Sequence, residues 1–239
     1  MRTYQILFDP EANGGRGEAL AHMLDQVFPE DELVYRDYSL MATALDMVSF
    51  LSGDDCLVVC GGADTLSRFR SETEGLTFAN EVKYLSPEGV LRAGGAPVMK
   101  SMSELVFVSV NGRSLLLNEG LSFGVTDRGP ASNFNRVMRF KPFDAFVWAD
   151  GSGNNFGSVW QLDVVPVKGA ASLTCSYGFG KLRALKIVPA IMKGGAEKYE
   201  DILFSVSAKK ITVELDRPAD ITIDGKTHAG VEKFTVTAG

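Results

Sequence analysis

Residues Cys56-Leu-Val-Val-Cys60 form an unbroken apolar run that stops at Gly61-Gly62. A strand with one wet face alternates apolar and polar residues, so a run without polar interruption predicts a strand covered on both sides, as in a parallel sheet between helices. The neighbouring segments fit that frame. Tyr4 to Phe8 is a short apolar run ended by Asp9-Pro10 and the glycine-rich Asn13-Gly14-Gly15-Arg16-Gly17, Leu33 to Tyr38 predicts a second strand, and Val82 to Leu85 a fourth. Between them, Ala19, Leu20, Met23, Leu24 and Val27 share one helical face, Met41, Leu45, Val48 and Leu51 recur at helical spacing, and Leu66 and Phe69 mark a third helix. The resulting β-α-β-α-β-α-β order predicts an open parallel sheet, which binds ligands at the carboxyl ends of its strands. Both glycine clusters fall at such ends.

The pattern changes near residue 100. Leu105 to Val110, Asn111-Gly112 and Arg113 to Leu117 predict a hairpin, because Asn-Gly suits a type I′ turn. Further strands are expected at Ala145 to Trp148, Val159 to Val165, Ser172 to Ser176, Ile202 to Val206, Ile211 to Leu215, Ile221 to Ile223 and Phe234 to Thr237, with Asp224-Gly225 as a second hairpin turn. One helix interrupts them, Lys181 to about Lys193, with Leu182, Leu185, Val188 and Ile191 at threes and Pro189 kinking or ending it. The division expected is an α/β domain over 1–95 and a mostly antiparallel β domain over 96–239, linked by the glycine-containing stretch Gly89 to Lys100.

The chain has 239 residues and a net charge of −6, with 45% hydrophobic and 23% charged residues. That composition suits a packed soluble protein, and the absence of a Lys/Arg block argues against nucleic acid as a partner. No apolar stretch approaches the roughly 18 residues of a spanning helix, and the first residues enter a strand directly, so a cytoplasmic protein is expected. Three cysteines without framework spacing fit buried thiols in a reducing compartment. Cys56 and Cys60 are about 13 Å apart along a strand, too far to share a bond or a metal, and His22 and His228 stand apart from them. No metal site is expected.

Two loops invite a ligand. In Gly61-Gly62-Ala63-Asp64-Thr65, paired glycines after a buried strand let the backbone approach a phosphate, though Asp64 or Thr65 equally suits a helix cap. Asn13-Gly14-Gly15-Arg16-Gly17 offers amide donors and one cation, and turn chemistry explains it equally well. Asp224 and Lys226 sit at a turn for which Asp-Gly is sufficient explanation. Ser71-Glu72-Thr73-Glu74 is expected to be a solvated loop.

Together these segments resemble the diacylglycerol kinase catalytic family, which includes sphingosine kinases and bacterial YegS-like lipid kinases. Ile6-Leu-Phe-Asp-Pro-Glu-Ala-Asn-Gly-Gly-Arg-Gly17 is similar to the family's opening N-P-x-(S/A)-G-x-G loop, and Val58-Val-Cys-Gly-Gly-Ala-Asp-Thr-Leu66 to its G-G-D-G-T-L signature. Leu182 to Gly194, Lys210 to Pro218 and Ile221 to Gly225 are similar to its C-terminal β domain. The resemblance implies a Rossmann-like domain of the NAD-kinase and diacylglycerol-kinase type followed by a β-sandwich, whose last strand may return to the first domain. It also implies ATP and Mg²⁺ as cofactors, a lipid hydroxyl as acceptor, and nucleotide contacts from Asp9, Asn13, Gly14, Gly15, Gly61, Gly62, Asp64, Thr65 and Gly89.

The chain departs from the pattern at each of those devices. Asp9 replaces the opening Asn, Ala63-Asp64 replaces Asp-Gly, and only Gly89 survives of the loop after the fourth strand. A carboxylate in the Asp64 position would be strained if its φ were positive. The loop expected to carry metal-associated residues is shortened to Val167-Lys-Gly-Ala-Ala171. Lys226 stands where the family's Asp-Gly-Glu has its proton acceptor, leaving Asp224 as the remaining catalytic candidate, and an ammonium has no lone pair to accept a proton. The function expected is therefore a non-catalytic, pseudokinase-like binding or regulatory protein whose partner is a nucleotide, a lipid or a protein, with peripheral membrane contact open. The alternative is an active ATP-dependent kinase acting on a diacylglycerol-like hydroxyl.

Overall fold

A computed structural model of the chain describes residues 1–86, 97–126, 134–192 and 196–239. It divides into two compact units, Met1–Leu105 with Arg113–Leu116, and Val106–Gly112 with Leu117–Gly239.

In the first unit, strands β1 (Thr3–Phe8), β2 (Glu32–Asp37), β3 (Cys56–Cys60), β4 (Glu81–Leu85) and β5 (Met99–Ser101) lie in the order β2-β1-β3-β4-β5. The first four run parallel and β5 is antiparallel to β4. Every residue of β3 is buried, as its unbroken apolar run requires. Tyr4, Ile6, Phe8, Val58 and Cys60 pack with Leu20, Ala21 and Leu24. Residues of opposite parity, Leu7, Leu57 and Val59, are also fully buried, so the sheet has no wet face at its centre. At roughly 1.5–3 kcal/mol per large apolar side chain removed from water, this layer dominates the unit's stability.

The helices are shorter than the periodicity suggested. α1 (Ala12–Gly15) is a distorted turn, and α2 (Gly17–His22) passes into a 3₁₀ segment. Of its expected face, Ala19 is exposed and Ala21 takes the buried position. In α3 (Ala44–Val48), Ala44 and Met47 are buried while Leu45 is exposed. Its start is set by Asp46, whose carboxylate accepts from the Thr43 amide at 3.1 Å, and that phase turns Met47 inward. α4 (Ala63–Glu72) buries Leu66 and Phe69 as expected.

The second unit is antiparallel. Its strands β6 (Val106–Val110), β8 (Leu121–Gly124), β11 (Gln161–Val167), β12 (Ala170–Ser176), β13 (Leu203–Ala208), β14 (Lys210–Ile223) and β15 (Lys226–Ala238) follow the order β13-β12-β11-β8-β14-β15-β6. β9 (Phe143–Ala149) pairs β10 (Ser152–Val159) on one side and β14 on the other. β14 joins β9 over Ile211–Leu215 and β8 only at Thr222 and Ile223, with register shifts between Glu214 and Ile221. Such bulges bend a strand, and β12 comes to lie against β14 and β15 across the core, which gives the layered arrangement expected. β15 pairs with β14 and β6 within this unit, so the last strand does not return to the first sheet. The hairpin at Asn111-Gly112, which leads into β7 (Arg113–Leu116), has φ of 49° and 74°, the left-handed pair of a type I′ turn.

Among the described residues of the unit, two α-helices, α5 (Phe134–Arg139) and α6 (Lys181–Met192), pack with Trp160 and Phe179. Pro189 lies inside α6 rather than ending it. The inward residues of α6 are Ala184, Ile187 and Val188, and Leu182 points away from the core at 77% exposure. The polar strand β10, Ser-Gly-Asn-Asn-Phe-Gly-Ser-Val, had no alternating apolar signal, and α5 offered only Phe134, Val137 and Met138 at helical spacing over six residues.

Candidate functional site

The strand order β2-β1-β3-β4 reverses direction between β1 and β3, and in open α/β sheets ligands bind outside the carboxyl ends at that switch point. Phe8 and Cys60 are register partners there, and the Asp9 amide donates to the Cys60 carbonyl at 3.1 Å. Both glycine loops leave the sheet at this place.

In the first loop Asn13, Gly14 and Gly15 have φ of 57°, 69° and 82°, with open space around both glycines. The residue whose size matters sterically is Gly17, since a Cβ there would lie 1.7 Å from the Asp9 carbonyl oxygen. In the second loop a Cβ on Gly61 would lie 2.5 Å from Thr65 Oγ1, whereas Gly62 has an extended backbone and nothing within 4 Å. Asp64 lies in the first turn of α4 without a positive φ, so the strain considered from sequence is absent and its charge suits the helix dipole. Neither Asp64 nor Thr65 caps the helix; the N-cap is Gly62, without a side-chain bond.

Thr65 is 4% exposed and donates its hydroxyl to Asp9 Oδ2 at 2.6 Å. Asp9 Oδ1 accepts from the Glu11 amide at 3.1 Å. A carboxylate from the end of β1 is thereby held against the first turn of α4, where a helix favours an anion.

Beside it lies a cluster that the sequence had not marked. Glu72 Oε2 accepts from the Tyr38 hydroxyl at 2.7 Å and the Ala44 amide at 2.6 Å, while its Oε1 accepts from Arg68 Nε at 2.8 Å. Burial pushes the Glu72 carboxyl up, but these donors and the Arg68 charge outweigh it and hold it below the usual range. Burial and the bond to Glu72 push the Tyr38 phenol far up. Arg68 also donates to the Tyr38 and Met41 carbonyls and lies 4.0 Å from the Tyr38 ring centroid. The segment 71–74 is thus no solvated loop: Ser71 and Glu72 belong to α4, and Thr73 is buried and donates to the Phe69 carbonyl. The i,i+4 spacing of Arg68 and Glu72 was the available clue.

In the second unit, Asp224 and Gly225 have φ of 46° and 78° in a two-residue turn between Ile223 and Lys226. The Asp224 carboxylate accepts from the amides of Asn118, Glu119 and Gly120 at 2.9, 2.7 and 2.9 Å. Asp150, in no recognised motif, does the same in the Asp150-Gly151 turn: its φ is 47° and it accepts from the Lys209 and Lys210 amides at 3.1 and 2.8 Å. Two Asp-Gly hairpins therefore clasp neighbouring loops by one device, and the position of Asp224 needs no catalytic explanation. Lys226 is exposed at the start of β15. The β11–β12 connection is reduced to Lys168-Gly169, with Val167 and Ala170 as register partners. Gly89 lies outside the described residues.

The thiols are buried and free. Burial pushes Cys60 up to about 12 and, with the nearby Asp163 charge, Cys175 also to about 12. Such thiols are poor nucleophiles. Among the described residues no three His, Cys, Asp or Glu side chains converge in a metal-sized group, and no helix is long and apolar enough to cross a membrane.

Among solved structures, a diacylglycerol kinase from Bacillus anthracis str. Sterne matches with a TM-score of 0.52 at 15% identity, covering 99% of this chain and 94% of that one. A second structure from the same organism, a proposed diacylglycerol kinase, matches with a TM-score of 0.52 at 13% identity over 99% and 93%. The chain has the diacylglycerol-kinase fold. At these identities the match speaks to architecture alone: an N-terminal, mostly parallel sheet with helices and a large antiparallel sheet after it, the two parts of the diacylglycerol-kinase fold. No family model matches the sequence, and no curated protein does.

Proposed function

We propose that this protein is a non-catalytic relative of the diacylglycerol kinases, a binding or regulatory protein whose switch-point loop is satisfied by its own carboxylate. The observation that carries this reading is the 2.6 Å hydrogen bond from Thr65 Oγ1 to Asp9 Oδ2. Asp9 brings a negative charge to the place where a kinase of this fold would need room for triphosphate oxygens, and acceptors opposed to acceptors repel. The triphosphate of ATP does not fit these residues well, since the nearby Arg68 is committed to Glu72.

The remaining candidates support the same reading. Asp224 spends its carboxylate on three backbone amides, and Lys226 offers only donors near neutral pH. A proton acceptor for a lipid hydroxyl is missing from the position that the resemblance assigns to it.

Melting curves with and without ATP and Mg²⁺ test the proposal, since a ligand at about a hundred times its dissociation constant adds about 2.7 kcal/mol of stability. No shift is expected for the natural sequence. A clear shift, together with transfer of labelled phosphate to diacylglycerol, would establish the kinase reading instead.

A further inference from the structure

A cavity of about 530 Å³ opens at the amino ends of β1, β3 and β4, with Arg2, Thr3, Asp54, Asp55, Asn80 and Glu81 in its lining. It lies wholly within the first unit and is of the size that takes a small molecule, roughly 300–1,000 Å³. The Asp9 and Thr65 loops leave the other end of the same sheet, about 17 Å away along the five-residue strand β3. The wall is held by bonds between strands. In the turn before β3 the Asp55 amide donates to the Ser52 carbonyl at 3.1 Å, and the Ser52 amide donates to Asp55 Oδ2 at 2.9 Å. Asn80, just before β4, donates its side-chain amide to the Ser52 and Asp55 carbonyls at 2.6 and 3.1 Å, while Gln5 of β1 donates to Asp55 Oδ2 at 3.3 Å. Glu81 is balanced by Arg2 at 2.8 Å and Lys83 at 3.3 Å.

The groups these bonds leave over are all of one kind. Asp55 is 7% exposed, yet both of its side-chain bonds reach Oδ2, both donors are neutral, and no ion pair includes it among the described residues. Its Oδ1 is left without a donor. Closing the turn accounts for Oδ2 alone, and a buried charge is stable only where it is paired or fully hydrogen-bonded. Asn80 commits its amide nitrogen and keeps its carbonyl oxygen. Asp54 is exposed and has neither a hydrogen bond nor an ion pair among the described residues. Two negative charges and a neutral acceptor, with no donor to spare among them, complement a ligand that is cationic and donates only. An ammonium group is that, with three donors and no acceptor. A guanidinium suits the cavity less, because its planar fork favours both oxygens of one carboxylate and Asp55 offers one.

We propose that this cavity binds a small aliphatic polyamine, with one ammonium on Asp55 Oδ1 and a second on Asp54. The two carboxylates are adjacent in sequence but differ in placement, one buried and one exposed, so a flexible chain carrying two separated charges matches them better than a single cation. The site stands at the end of the sheet away from the switch-point loops, and its test depends neither on Asp9 nor on whether phosphate is transferred.

Isothermal titration calorimetry of the full chain with putrescine reads the interaction directly, with butanediol as the uncharged counterpart of similar length. Saturable binding is expected for the diamine and none for the diol. Asp54→Asn should weaken putrescine about fivefold, the weight of one charge pair about 4 Å apart in water. Asp55→Asn, at the buried position, should weaken it by at least about tenfold, since the same charge acts there in a lower dielectric. Glu232→Gln removes an equal charge from an exposed position in the second unit and should leave the affinity unchanged. Melting curves without ligand check folding; if Asp55→Asn fails to fold, Asp54→Asn decides alone, because it breaks no hydrogen bond. No saturable heat with putrescine, equal binding of butanediol, or undiminished affinity of Asp54→Asn would overturn the proposal. An equal loss in Glu232→Gln would also overturn it, by marking general attraction to an acidic protein. Displacement of putrescine by Mg²⁺ at the same or lower concentration would do so as well, by marking an ion site.

Discussion

Replacing Asp9 by Asn tests whether a carboxylate closes the switch-point loop. The substitution keeps the size of the side chain and an oxygen able to accept from Thr65 Oγ1, which now lies 2.6 Å from Asp9 Oδ2. Hydrogen bonds to charged groups contribute about 1.5–3 kcal/mol and neutral ones about 0.5–1.5, so the exchange should cost about 1 kcal/mol of stability. A loss of that size lowers the melting temperature by a few degrees, about 4 °C for a domain near a hundred residues. The effect on an incoming anion has the opposite sign. A phosphate charge about 4 Å from the carboxylate would be repelled by about 1 kcal/mol in bulk water and about 4 kcal/mol at the effective dielectric of a protein surface. Even the smaller value is about a fivefold change in affinity, so Asp9→Asn should melt earlier than the natural protein without nucleotide and gain more from ATP or ADP with Mg²⁺. Scanning calorimetry across a nucleotide series measures both terms. The reasoning fails if the natural protein is stabilised by nucleotide as much as the variant, because the carboxylate would then be no obstacle.

Three further outcomes follow from the geometry. Gly17→Ala places a methyl 1.7 Å from the Asp9 carbonyl oxygen and should destabilise by about 3 kcal/mol in urea unfolding, while Gly62→Ala, with open space around it, should stay within about 0.5 kcal/mol. Because the folded-state carboxyl of Glu72 is held below its ordinary 4.5, the stability it contributes is present above that pH and lost as pH falls through the lower folded value. Glu72→Gln should therefore flatten the acid limb of a stability-pH curve, and an unaltered limb would show that the Tyr38, Arg68 and Ala44 bonds are energetically idle. Asp224→Ala strands three loop amides and strains a left-handed position, so it should cost about 1–3 kcal/mol, whereas Asp224→Asn, tolerant of φ near 46°, should retain much of that; hydrogen exchange at Asn118 to Gly120 distinguishes them.

Sheet membership was legible wherever a strand announced itself by composition. Cys56–Cys60 had to be covered on both sides, and Asn111-Gly112 and Asp224-Gly225 had to turn, since few residues accept two successive positive φ angles. Asp150-Gly151 carried the same signal, but the strand after it, Ser152–Val159, is mostly exposed and polar, so no apolar alternation drew attention to the pair. Helix phase was less secure. Short helices leave two faces compatible with spacings of three and four, and Leu45 and Leu182 are exposed because capping and packing selected Met47 and Ile187 instead.

What the order of residues determined by itself was local: the strand runs, the turn chemistry and the pairing of two glycine loops with two strand ends, each set by backbone sterics and apolar periodicity within a few neighbours. Tertiary structure alone decided the partners. Asp9 and Thr65 are 56 residues apart and Asp224 and Asn118 are 106 apart, so which donor meets which carboxylate depends on the order in which strands enter their sheets. The same limit governed Gly17 and Gly61, whose need for a hydrogen side chain arises from atoms that only folding brings against them.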